Sequence, residues 1–110
     1  MKLLTKEIRK KLPPLYSTEN KKPEDVPIIF KMFAPWGSFT WYCTEGSPVL
    51  DESGKELDFR FFGLVRGFES ELGYFMLSEL ESIRGQFGLG IERDMYFGDH
   101  FLSECIEKQI

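Results

Sequence analysis

An α+β fold with a mainly antiparallel sheet is predicted by three features of the sequence. In three stretches, residues 28–34, 39–44 and 57–66, apolar residues recur at every second position. The first fifteen residues carry an apolar repeat at helical spacing that meets a Pro-Pro pair, and a serine-led box at Ser78 opens a second helical stretch. The expected architecture is one small domain over residues 1–110, with four to five strands, an N-terminal amphipathic helix and one or two short helices. A chain of 110 residues buries enough surface to fold without help from metal or disulfide.

The first helix is set by Leu4, Ile8, Leu12 and Leu15, with Thr5 as its cap and a basic outer face. Pro13-Pro14 stops it, because proline supplies no backbone donor and forces the preceding residue out of helical geometry, so Leu15 packs just beyond the end. The polar segment 17–27, with two prolines and two lysines, is expected to be a mobile loop. Ile28, Phe30, Met32 and Ala34 then alternate with Ile29, Lys31 and Phe33, and Phe39, Trp41 and Cys43 with Thr40, Tyr42 and Thr44. The two strands join through Pro35-Trp36-Gly37-Ser38 as a hairpin. Residues 46–56, GSPVLDESGKE, are rich in turn formers and read as a surface loop.

The central strand places Leu57, Phe59, Phe61, Gly63 and Val65 on a core face and Asp58, Arg60, Phe62, Leu64 and Arg66 on the other. Gly67 and the polar run Glu69-Ser70-Glu71 break it, and an extended pattern resumes at Gly73, which predicts a hairpin with a long loop. Ser78-Glu79-Leu80-Glu81 fits a capping box, Leu77, Leu80 and Ile83 form the buried stripe of the helix that follows, and Gly85 ends it. A last strand is expected over Ile91–Phe97, with Ile91, Met95 and Phe97 inward. A short closing helix follows, capped by Ser103 and striped by Leu102, Ile106 and Ile110, in a tail over residues 98–110 whose pattern is less regular.

Composition narrows the function classes. The opening residues lack the apolar run of a signal peptide or a membrane span, so a cytoplasmic protein without membrane attachment is expected. Cys43 and Cys105 have no CxxC spacing and no nearby histidine partner, and read as reduced thiols. The net charge of −4 hides an asymmetry: the first 22 residues carry seven cations against Glu7 and Glu19. The favoured reading is a basic helix docked on its own acidic body. Single-strand nucleic-acid binders interleave cations with exposed aromatics, whereas here the aromatics lie in an acidic region and the lysines elsewhere, so nucleic acid is not the expected partner.

Few residues gather into anything resembling a reaction centre. Gly85, Gly88 and Gly90 lack the Lys-Ser/Thr of a phosphate loop and follow a helix instead of opening one; a tight turn is the commoner reason for them. Glu92 and Asp94 share a strand face and could form a carboxylate pair beside Arg93, although a solvated face is the commoner outcome. His100 is the sole histidine, without a second ligand at metal spacing, so neither metal nor cofactor is expected. Candidate binding residues are Trp36 at the hairpin tip and Tyr42, Phe62 and Leu64 on the second face of the central strand. Two large apolar residues there need either a covering helix or a partner.

The segments LLTKEI, LPPLYSTE, KMFAPWGSFTWYCTEG and DFRFFGLVRGFESELGYFMLSELESIRGQFGLGIERDMYF resemble a family of short bacterial proteins known only as a domain of unknown function. The family is frequent on plasmids, prophages and conjugative elements. The resemblance implies a mobile-element setting and no particular activity. The function expected first is a non-enzymatic accessory protein acting through an unidentified protein partner or self-association. A small enzyme or ligand-binding domain using Glu92-Arg93-Asp94 beside the Gly85–Gly90 turn comes second, and nucleic-acid binding through the basic N-terminal helix third.

Overall fold

The computed structural model describes residues 1–108 and 110. It contains a five-stranded antiparallel sheet with short helices at both ends of the chain: α1 (Lys6–Lys11), β1 (Phe30–Phe33), β2 (Thr40–Leu50), β3 (Glu56–Arg66), β4 (Ser70–Met76), α2 (Leu77–Ser82), β5 (Glu92–Arg93) and α3 (Leu102–Glu107). The strand order is β4-β3-β2-β1-β5, so four consecutive strands form a meander and β5 returns to the far edge beside β1. No described helix is long and apolar enough to cross a membrane.

The strands are longer than the turn residues suggested. Residues 46–50 and Glu56, expected in a surface loop, belong to the β2–β3 ladder, which runs from Thr40↔Arg66 to Leu50↔Glu56. The connection is only the turn 51–55, where the Asp51 carboxylate accepts from the Ser53 and Lys55 amides. Pro48 is tolerated in the ladder because β1 pairs only with residues 40–43 of β2, leaving an open edge where a missing N–H costs little. The long loop expected after Arg66 is likewise only Gly67-Phe68-Glu69, since Ser70 and Glu71 pair with Arg66 and Val65. These polar residues extend an edge strand. Leu57, assigned to the core, is exposed: β4 reaches β3 only as far as Arg60, so no strand flanks it on that side.

Each side of the sheet carries its own cluster. On the first, Phe30, Met32, Ala34, Trp41, Cys43, Phe59, Phe61 and Phe75 pack with Leu3, Leu4, Leu12, Leu80 and Ile91 from the N-terminal segment, α2 and the approach to β5. The rings of Phe30, Phe59 and Phe75 all lie within 5.7 Å of Phe61, centre to centre. On the second side Tyr42 and Leu64 pack with Val26, Ile28, Leu102 and Cys105. The segment 17–27 is held at both ends: Thr18 and Val26 are buried, Pro23–Asp25 forms a 3₁₀ turn, and the Val26 carbonyl accepts from the Leu102 amide at 2.8 Å.

The helices are shorter than the apolar stripes implied, and two are capped differently. Thr5 caps α1 by accepting from the Ile8 amide at 3.2 Å, and Leu12 is already extended ahead of the prolines. Arg9 of α1 forms a bidentate ion pair with Glu56 and lies over the Phe59 ring, docking the basic helix on an acidic strand. The Ser78 box does not form. Asp58 captures the Ser78 amide and hydroxyl, and Glu79 reaches back to the Met76 amide instead, which moves the helix start to Leu77. Ser103 does not cap α3 either: Glu104 accepts from the Phe101 amide at 2.9 Å. Of the expected stripe only Leu102 is buried, with Cys105 beside it, while Ile106 is substantially exposed.

The predicted strand Ile91–Phe97 shrinks to Glu92–Arg93. An Asx turn, with the Tyr96 amide on the Asp94 carboxylate at 2.9 Å, diverts the chain after Asp94. Ile91 therefore enters the first cluster, Met95 is exposed and Phe97 packs on the second cluster.

Candidate functional site

The second face of the sheet is only partly covered. Near β1 and β2, the Pro23–Asp25 turn and α3 seal it, leaving Leu64 3% and Tyr42 0% exposed, so of the expected pair Phe62 or Leu64 it is Phe62 that lies partly exposed, and Tyr42 and Leu64 are not on the surface. Leu64 lies where Val26, Leu102 and Cys105 close over the sheet, and Tyr42 stacks on Phe97 at 5.9 Å. Towards β4 the cover stops. Phe62 is half-buried, Leu72 is 49% and Tyr74 52% exposed, and all three stand on one face because Phe62 pairs with Tyr74 and Leu64 with Leu72.

Here a cleft of about 210 Å³ opens between the sheet and the segment 16–26, with Phe62, Leu72 and Tyr74 on one wall and Tyr16, Thr18 and Val26 on the other. Its rings form a chain: Phe62 to Tyr74 at 5.0 Å and Tyr74 to Tyr16 at 6.1 Å. Glu45, only 2% exposed, also lines the cleft. One of its oxygens accepts from the Tyr16 amide at 2.8 Å and the other from the Thr18 amide at 2.8 Å and the Thr18 hydroxyl. This carboxylate fixes a strained turn in which Tyr16 takes a φ of 74°, a left-handed conformation that an aromatic residue rarely adopts. The Tyr74 phenol is raised above its ordinary pKa by desolvation first, and then by its neighbours Tyr16 and Glu45.

A register shift explains why Glu45 faces this way. Cys43 opposes Gly63, but Glu45 opposes Phe62, so Thr44 is an extra residue in β2. The bulge turns Glu45 to the face of its partner Phe62, and Thr44 and Glu45 both line the cleft. Neither Glu45 nor Tyr16, Leu72 and Tyr74 stood out in the sequence. Yet Glu45 is the one charged residue between Phe33 and Leu50, a signal of a buried acid with a dedicated task.

The other candidates are dispersed. Trp36 is half-buried and folded onto the first cluster, so close to Gly85 that a Cβ there would sit 2.0 Å from the indole; this contact, and not the backbone conformation, requires the glycine. Gly85–Gly90 forms a tight loop closed by the Gly85 amide on the Leu89 carbonyl at 2.8 Å, with Gly88 at a φ of 72°. Glu92 lines a depression of about 400 Å³ with Glu81, Arg84 and Leu80. Asp94 lies outside it, 3.3 Å from the Lys31 ammonium, which also sits over the rings of Tyr42 and Phe97. His100 contacts Glu104 at 3.0 Å and stacks on Phe97. None of the depressions described holds two of Glu92, Asp94 and His100. The described residues contain no cluster of three or more metal-ligating side chains.

Cys43 and Cys105 are free thiols buried in the first and second clusters respectively. Burial pushes the Cys43 thiol well above its ordinary pKa. Burial first, and then the nearby Glu104, pushes Cys105 up to about 11, so neither is an activated nucleophile.

No curated protein and no solved structure matches the chain. One family does, through a model described as "Protein of unknown function (DUF2958)" that matches residues 3–108, and the chain therefore belongs to that family.

Proposed function

We propose that this protein is a non-enzymatic, cytoplasmic accessory factor of bacterial mobile elements that works by binding another protein through the open half of the second sheet face. The observation that carries the reading is the strip of Tyr16, Phe62, Leu72 and Tyr74 left uncovered beside the free side of β4. Aromatic residues in a partly open groove supply large contact area at low conformational entropy loss, the composition typical of interface centres. Glu45 supports it by holding Tyr16 in place before any partner arrives, which lowers the ordering required on binding.

Affinity capture from a host carrying the element, repeated with Tyr74→Lys, tests the reading. The variant should keep its melting temperature, because Tyr74 is half exposed, and should lose the captured protein. Capture of the same protein at the same yield by the variant would overturn the assignment to this surface. The depression around Glu92 gives the alternative of a small-ligand site its own test. A folded Glu92→Gln variant that loses a ligand-induced rise in melting temperature would move the function there.

A further inference from the structure

We propose that β4 pairs antiparallel with β4 of a second copy of this chain across a two-fold axis at Gly73, joining two five-stranded sheets into one. The proposal rests on the reading above, in that it names a partner for the edge along which the same open face ends. Its first ground is the free backbone of β4. Among the described residues no backbone hydrogen bond other than those to β3 reaches residues 70–75, and no other strand lies on that side. Exposed edges are ordinarily protected by lysine, proline, a bulge or a covering loop. β4 has neither lysine nor proline, its register with β3 is unbroken over all seven residues, and its only charge is Glu71.

The second ground is Gly73 itself. A glycine inside a strand costs about 0.5–1 kcal/mol relative to alanine, so a reason is expected for it. Within this chain there is none: its φ lies outside the left-handed range, and an added Cβ would meet nothing within 4 Å. At a two-fold axis a residue faces its own copy directly, and a glycine there leaves no pair of side chains to clash.

The third ground is self-complementarity, which favours a second copy over an unrelated strand. Gly73 is the midpoint of Ser70–Met76, so a two-fold axis there is the only one that pairs all seven residues. It sets Leu72 opposite Tyr74 of the partner copy and, by symmetry, Tyr74 opposite Leu72, both on the open face, since directly opposed residues share a face. The two uncovered strips then merge across the junction. Glu71 falls opposite Phe75 instead of the second Glu71, which avoids a like-charge pair. Seven paired residues make a small interface, so association in roughly the micromolar range is expected.

Sedimentation velocity on the full chain from about 1 µM to about 1 mM should show a monomer–dimer equilibrium, and Leu72→Lys should weaken it at least tenfold while melting as wild type at low concentration. Gly73→Cys supplies the geometric arm. Directly opposed strand residues have Cα atoms roughly 4.5–5.5 Å apart, within disulfide reach, so mild oxidation should link Gly73→Cys into a dimer and leave a Ser53→Cys control monomeric. Cys43 and Cys105 are buried and do not compete. A wild-type chain that stays monomeric to the highest concentration, equal cross-linking of both cysteine variants, or unchanged dimerisation of Leu72→Lys would overturn the proposal. If Gly73→Cys does not fold, the Leu72→Lys arm decides. A monomeric wild type whose capture of a different protein is still lost in Tyr74→Lys would refute the two-fold pairing and leave the binding reading standing.

Discussion

The two faces of the sheet are built from similar side chains and end in different states. On one, Phe59, Phe61, Phe75 and Trp41 are sealed by Leu3, Leu4, Leu12, Leu80 and Ile91. On the other, Tyr42 and Leu64 are sealed while Phe62, Leu72 and Tyr74 are not, because the covering elements, α3 and the Pro23–Asp25 turn, end above Leu64. What separates a core residue from a surface residue in the apolar middle of the second face is the reach of the cover, since Phe62 and Leu64 are both large apolar residues on the same side of β3. Residues two positions apart on one strand face, Phe62 and Leu64, fall on opposite sides of that boundary.

Substitutions across the boundary should sharpen or break this contrast. The largest effect is expected from Leu64→Lys, which leaves an unpaired charge between Val26, Leu102 and Cys105. A cost of about 3–5 kcal/mol is comparable with the whole stability of a small domain, roughly 5–15 kcal/mol. The variant should be unfolded or melt far below wild type by circular dichroism. A wild-type melt would mean that the seal over Leu64 opens readily and that the two halves of the face are alike.

Glu45→Gln comes next. The amide keeps one acceptor but turns a donor towards the Tyr16 or Thr18 amides, and an unsatisfied buried polar group costs about 1–3 kcal/mol. The expected result is a lower melting temperature together with faster proteolysis within residues 16–22. Unchanged protection of that segment would show that the wall of the cleft does not depend on the carboxylate.

The smallest effect concerns the link between β3 and the start of α2 and is read through pH. The Ser78 hydroxyl, followed by the Phe59 and Ser78 amides, holds the Asp58 carboxyl below its ordinary pKa. A lowered folded-state pKa contributes stability above the unfolded value of about 3.9, and that stability is lost as pH falls through the folded one. Asp58→Asn should therefore narrow the gap between neutral and acid melting temperatures in this window. An identical acid limb in the variant would show that the start of α2 is held by packing alone.

Much of the architecture was readable because it follows from period and punctuation. The alternation of Phe30, Met32 and Ala34 is the first-cluster side of β1 and its exit, with Ile28 just before it buried in the second cluster, Thr5 caps α1, and Pro13-Pro14 ends it. What escaped depends on contacts distant in sequence. Ser78 followed by Glu81 satisfies the capping rule locally, but Asp58, twenty residues earlier, competes for the same serine and wins. The acidic and polar character of Ser70 and Glu71 suggested a loop because nothing in a single strand says which side will be an edge. The cleft was missed for a similar reason. Strict alternation cannot anticipate a one-residue bulge, and the extra Thr44 decides which way Glu45 turns. Phe62 was legible as an apolar residue in need of cover, whereas Leu64 gave the same signal and found its cover 38 residues downstream, at Leu102.

The placement of the two thiols makes the molecule its own probe of opening. Cys43 lies in the middle of the sheet on the first face, and Cys105 on α3 against the second. A labelling reagent reaches Cys105 once the C-terminal helix lifts, but reaches Cys43 only when β2 is stripped of its cover or its neighbours. The ratio of the two labelling rates thus separates detachment of one small helix from loss of the whole fold. A bridge between Cys43 and Cys105, which requires them to meet through the sheet, would form only in chains that have already unfolded.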